Sequence, residues 1–298
     1  MKRVLILGAV SAILAQKASA TWVSMTDSSF CQTWDFNQLA SSGTGTWIND
    51  DTAKGLQGWF ADYSSQNAST GSQAIIASDG SSTSKSLFSF GNSSDRALGS
   101  VAPVSTAPGN QVYGILLRNT TGATLNNIYV SYRGEQWRNG GSNVGQSLGV
   151  SYAISSDTGS FFVNNSSQHY PGMLSPDVAT GTGTQRASTS DTYANWVGVS
   201  DGTFNAPTVS STAGALNGNA AVNSTLISFT LSNLGLANGD FIFLRWRDTD
   251  NSGTDSGLAI DDVDICLTAV PETDTVAAIL AVAAIGGGTA WRRLRRKA

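Results

Sequence analysis

The densest group of chemistry-bearing residues lies late in the chain: Asp248, Asp250, Asn251 and Asp255, followed by Asp261, Asp262 and Asp264. Calcium takes six to eight oxygen ligands from carboxylates, carbonyls and water, so a run of this kind suits it. Asp248-x-Asp250-x-Ser252-Gly253 opens like an EF-hand loop, but its twelfth position is Ala259 instead of a bidentate Glu. The expectation is a calcium site of another kind, with Asp248, Asp250, Asp255, Asp261 and Asp262 as ligands. The competing expectation is a solvated turn followed by a strand with outward carboxylates.

Three other constellations bear on chemistry. Gly145-Gln146-Ser147-Leu148-Gly149 matches the nucleophile-elbow string, which needs a strand-turn-helix setting and triad partners. Ser147 instead opens an alternating segment, and the single histidine, His169, sits in a loop-like stretch. One histidine also excludes a multi-histidine metal centre. Glu135 is the only glutamate of residues 21–270 and flanks Trp137. Glycoside hydrolysis needs two carboxylates, so a partner would have to be an aspartate. An ion pair of Glu135 with Arg133 or Arg138 is the plainer expectation. Among seven tryptophans of the body, Trp47, Trp59 and Trp196 are the candidates for a sugar-stacking platform, although most tryptophans are buried anchors.

The elements that must position these residues read as strands. Ile128, Val130 and Tyr132 stand at alternate positions and share one face of a strand, as do Leu148, Val150, Tyr152 and Ile154. The same holds for Ile227, Phe229 and Leu231, and for Ile242, Leu244 and Trp246. Period two over such lengths, punctuated by Gly, Asn and Ser clusters, is the strand signal. No long stripe of period 3.6 competes with it. Many strands in one body of about 250 residues predict an all-β, antiparallel sandwich or barrel over residues 21–268, for which the resemblances given below imply the β-sandwich, jelly-roll-like form.

Charge narrows the partners. The whole chain carries a net charge of −4, but residues 21–270 hold nine cations against nineteen acids, a net charge near −10. Such a body repels a phosphate backbone, and it has no Gly-rich phosphate loop or basic-aromatic surface, so nucleic acid is not an expected partner. Two cysteines, Cys31 and Cys266, stand near the two ends of the body. In an oxidising compartment they invite a disulfide; the alternative is two buried thiols.

Both ends of the chain read as targeting segments. Lys2 and Arg3 precede an apolar run from Val4 to Ala15, and Ala18-Ser19-Ala20 supplies a small-x-small cleavage site. Residues 1–20 are therefore expected to be a secretory signal helix. Residues 269–298 carry Pro271-Glu272, then an apolar helix over 275–291, then Arg292, Arg293, Arg295, Arg296 and Lys297. The apolar stretch is just under the usual spanning length and the basic cluster would stay on the cytoplasmic side.

This order resembles the PEP-CTERM sorting signal of Gram-negative bacteria, although Thr273 stands where that family usually has Pro. The resemblance implies an exosortase-type processing enzyme as a partner, a membrane contact through the C-terminal helix, and delivery to the cell surface or extracellular matrix. The body also resembles a domain common among exported PEP-CTERM proteins. The markers are Trp34-Asp35-Phe36, Asp95-Arg96-Ala97-Leu98-Gly99, Glu135-Gln136-Trp137-Arg138, Leu216-Asn217-Gly218-Asn219, Arg245-Trp246-Arg247-Asp248-Thr249-Asp250 and Gly257-Leu258-Ala259-Ile260-Asp261-Asp262. The closing strand is similar to that of MAM and carbohydrate-binding jelly rolls, and the likeness to MAM domains implies a paired Cys266. The function these readings imply is a non-enzymatic envelope or matrix protein acting by adhesion or polysaccharide binding. The second expectation is a secreted metal-dependent hydrolase using the Asp-rich loop 248–264.

Overall fold

A computed structural model describes residues 21–63, 73–102, 110–162, 171–175, 177–180 and 195–267. The proposed signal helix, the sorting tail with Pro271, Glu272 and its arginines, and His169 lie outside the described residues. No helix among the described residues is long and apolar enough to cross a membrane.

Sixteen strands make up the described body. The first eight are β1 (Val23–Met25), β2 (Cys31–Trp34), β3 (Thr44–Trp47), β4 (Trp59–Tyr63), β5 (Gln73–Ser78), β6 (Ser86–Phe90), β7 (Ala97–Val101) and β8 (Asn110–Asn119). The rest are β9 (Ile128–Asn139), β10 (Ser147–Ser155), β11 (Asp177–Thr180), β12 (Trp196–Asn205), β13 (Gly214–Ala215), β14 (Ser224–Leu231), β15 (Phe241–Thr249) and β16 (Gly257–Cys266). The four alternating runs of the sequence fall in β9, β10, β14 and β15.

The strands form two sheets. One runs β1-β8-β15-β10-β12-β11, with β4 also on β8. The other runs β13-β9-β16-β7-β6-β5-β3, with β14 also on β9 and β2 on β16. Pairing is mostly antiparallel, but β1–β8, β5–β6 and β11–β12 are parallel, so the sheets are mixed where a purely antiparallel sandwich was expected. Seven and nine strands also exceed the eight of a two-Greek-key jelly roll.

The main core lies between the sheets. Trp34, Trp59, Tyr113, Tyr132, Tyr152, Phe229 and Trp246 are buried there among Leu, Ile and Val side chains. Trp59 stacks on Trp246 with ring centroids 5.9 Å apart. A second apolar layer covers the outer face of the first sheet, where Phe60, Phe161, Met173, Trp196, Phe241 and Phe243 pack together. A third, on the second sheet, joins Phe88, Phe90, Val101, Trp137 and Ala259. This layering explains why β15 is buried on both faces from Phe241 to Trp246 instead of alternating cleanly.

Cys31 and Cys266 are bonded to each other, 235 residues apart in sequence, and face one another in the β2–β16 register. The first strand of the second sheet is thereby locked to β16, the last strand among the described residues.

Candidate functional site

The outer face of the β9–β16 ladder carries the most unusual chemistry. On β9, Tyr132 and Val130 point into the core, so Arg133, Glu135 and Trp137 point outward. On β16, Leu258 and Ile260 point inward and Ala259 and Asp261 outward. Strict alternation would then drive the side chain of residue 262 into the core. A bulge prevents this: Asp261 pairs with Arg133 and Asp264 with Ser131, so Asp262 and Val263 together oppose Tyr132. The extra residue restores Val263 and Ile265 to the core and keeps Asp264 on the outer face. Asp262 adopts φ +47°, a left-handed conformation that Asp tolerates better than most residues. Its carboxylate is 58% exposed and 3.9 Å from Arg133.

Around this bulge acids gather without matching cations. Glu135 is buried and accepts a hydrogen bond from the Trp137 indole N–H at 2.8 Å. Burial pushes its carboxyl up to about 7, and the negative charges of Asp95 and Asp262 add to the rise. Burial likewise pushes Asp261 up to about 9, with Glu135 and Asp262 as neighbouring charges, although its carboxylate accepts the backbone N–H of Asp262 at 2.8 Å. Asp262 is raised too, first by burial and then by Asp95, Asp264 and Asp35, against the opposing pull of Arg133. Asp95 holds the side-chain amide of Asn219 at 2.7 Å, and Asp264 accepts from Thr33 and, at 3.4 Å, from Ser131. The face therefore presents carboxylates and an amide, with Arg133 acting on Glu135 and Asp262 and Arg96 on Asp95.

The expected pairing of Glu135 with Arg133 or Arg138 is not formed. The Glu135 bond goes to Trp137, the Arg133 guanidinium approaches Asp262, and the Arg138 guanidinium donates to the Gly80 and Ser81 carbonyls.

The five aspartates read as one calcium site are split between two places: Asp248 and Asp255, with Asp250 as a neighbouring charge to both, and Asp261 with Asp262. Asp248 lies one residue before the end of β15 in the first sheet with its side chain turned inward, on the same face as Leu244 and Trp246. It accepts a hydrogen bond from Ser100 at 2.7 Å, and full burial raises its carboxyl well above the usual range. Asp255 lies beside it, takes the Lys85 ammonium at 3.1 Å and accepts the Asn251 N–H at 3.0 Å. Asp261 and Asp262 sit on the outer face of the other sheet. The chain crosses between sheets from residue 250 to residue 256, which separates residues that the sequence places side by side. Among the described residues no group of three or more His, Cys, Asp or Glu is arranged to hold a metal ion. The ammonium of Lys85, not an open coordination position, faces Asp255.

The sugar-stacking expectation for Trp47, Trp59 and Trp196 is also overturned. Trp59 and Trp196 are fully buried and Trp47 nearly so. Trp59 contacts Trp34, Phe36 and Trp246; Trp196 lies under the Arg245 guanidinium, 3.7 Å from its ring centroid; Trp47 bonds Asn49. Each ring is spent on packing and presents no free face. Ser147 opens β10 as a strand residue, without the turn into a helix that a nucleophile elbow requires.

What the residue-by-residue reading missed is that Asp95, Glu135, Asn219, Asp261 and Asp262 converge. The signal was present: all five belong to the marker segments quoted above, but spacing alone does not reveal which markers meet.

No protein-family profile and no curated protein matches the chain. Among solved structures, the K3 cleaved adhesin domain of Lys-gingipain from Porphyromonas gingivalis is 11% identical, with a TM-score of 0.32 over 70% of this chain and 91% of that one. A carbohydrate-binding module, CBM27-1 of Caldicellulosiruptor saccharolyticus, solved with mannohexaose, is 9% identical with a TM-score of 0.31, covering 77% of this chain and 100% of that one. The enzymatically active domain of tailspike protein 4 from bacteriophage CBA120 is 6% identical with a TM-score of 0.32, and the chain spans 19% of its length. Likenesses this slight carry no argument about function.

Proposed function

We propose that the chain is an exported, non-enzymatic cell-surface or matrix protein whose sandwich binds polysaccharide through the outer face of the β9–β16 ladder. The observation that carries this reading is the bulge at Asp262, which sets an exposed carboxylate beside the buried acids Glu135 and Asp261. Bulges re-aim side chains next to functional sites, and sequences break local rules where function requires it. Carboxylates and amides are strong, directional acceptors and donors for sugar hydroxyls. A face with this excess of acid favours neutral or amine-bearing glycans and repels those carrying carboxylates or sulfates.

Export, an exosortase-type partner and a membrane contact through residues 275–291 belong to the same proposal and rest on the sequence of the two ends. Calcium is not part of it, because the five aspartates do not converge. The reading is tested by screening the full chain against a glycan panel that includes neutral, amine-bearing and acidic members. Retention of neutral or amine-bearing glycans without turnover supports it. Release of shortened sugars would instead mean a hydrolase.

A further inference from the structure

The β14 strand stands apart from the other strands of the sandwich rim. Among the described residues, strands with a single strand partner span two to five residues, except β14, which spans eight. It pairs with β9 from Ser224–Glu135 to Leu231–Ile128 without a register shift. Its sequence, Ser-Thr-Leu-Ile-Ser-Phe-Thr-Leu, has no charge, no Pro and no Gly. Natural sheets blunt their edges with lysines, prolines, bulges or short strands, and none of these devices is present here. Leu226 on this strand is 56% exposed and Val222 just before it is 76% exposed.

The backbone is oriented for pairing. Gln136 donates its N–H to the Asn223 carbonyl at 2.8 Å. Antiparallel ladders alternate, so the N–H and C=O groups of Leu226, Ser228 and Thr230 turn away from β9.

We propose that β14 pairs antiparallel with β14 of a second copy of this chain, about a twofold axis through Ser228. The strand is self-complementary in that register. Leu226 then opposes Thr230 on the outer face, and Ile227 opposes Phe229 on the core side, an aromatic with a β-branched residue. An uncharged strand on an acidic body also adds no like-charge repulsion of its own when two copies approach. A strand-to-strand contact alone buries less than a standard interface, so the dimer is weak and reversible.

The test is sedimentation of the full chain in mild detergent between about 1 and 300 µM, the range in which a small interface associates. The expected result is a reversible rise from one to two protein chains per particle. Ser228→Pro removes only an outward N–H, and Ser228→Lys places two ammonium groups face to face; each is expected to weaken association at least about tenfold while the far-UV circular dichroism is kept. A single-chain mass at the highest concentration overturns the proposal. So does a dimer that persists undiminished in whichever of the two variants retains the native spectrum.

Discussion

Glu135 and Asp261 are diagonal neighbours on one outer sheet face: Glu135 opposes Ala259 across the β9–β16 ladder and Asp261 opposes Arg133. Both are buried, and burial raises each carboxyl's affinity for a proton, with the Glu135 charge adding to the rise at Asp261. Their carboxyls hold protons in the folded state, at about 7 and about 9, that an unfolded chain releases near pH 4.

The sign of the pH dependence follows. Above pH 4 the folded state binds more protons than the unfolded state, so stability falls as pH rises through 7 and on through 9. The thermal midpoint is expected to drop between pH 5 and pH 9. Glu135→Gln removes the Glu135 share of that drop, on the order of 3 kcal/mol from a shift of roughly two pK units. A midpoint independent of pH over this window, in the native chain, would contradict the burial of the pair.

Asp248 obeys the same logic inside the sandwich. Full burial raises its carboxyl's affinity for a proton, and the carboxyl accepts the Ser100 hydroxyl. Asp248→Asn keeps an acceptor for Ser100 and cannot ionise. It is expected to leave the thermal midpoint at pH 5 within a few degrees of the native value and to raise it relative to the native chain at pH 8. Asp248→Ala, which strands the Ser100 hydroxyl and opens a cavity, is expected to lower it at both.

The Cys31–Cys266 bond closes a loop of 235 residues. In the chain-entropy model a loop this long constrains the unfolded state by about 5 kcal/mol. Reduction is expected to lower the thermal midpoint by several degrees or more, and thiol labelling of unreduced, unfolded protein should find no free thiol. Two labelled thiols would refute the bond.

Much of the fold was legible, for a physical reason. Alternate positions such as Leu148, Val150, Tyr152 and Ile154, or Ile242, Leu244 and Trp246, record the face turned to the main core, and β10 and β15 follow them. The parallel pairs were not legible, because β1, β5 and β11 are too short to carry a pattern of their own. The platform expectation failed at Trp59 and Trp196 because residue type does not say whether a large ring faces water or a second apolar layer. The five aspartates do not form one cluster because neighbours in sequence need not be neighbours in space, and the crossing after β15 sends Asp248 and Asp261 to different sheets. Conversely, Glu135 and Asp261 lie far apart in sequence and meet only through strand register, which no local pattern encodes. The bulge at Asp262 is likewise a consequence of tertiary parity: Ile260 and Val263 must both reach the core.

The central claim is that the acids around Asp262 bind glycan. The most direct measurement is calorimetric titration of the tightest neutral or amine-bearing glycan from the panel into the full chain and into Asp262→Asn, a change that keeps a side chain tolerant of the left-handed backbone. Losing one charge-assisted hydrogen bond is expected to weaken binding about tenfold or more, with the thermal midpoint unchanged within a few degrees. Equal affinity in the native and Asp262→Asn chains would place the glycan elsewhere and contradict the account.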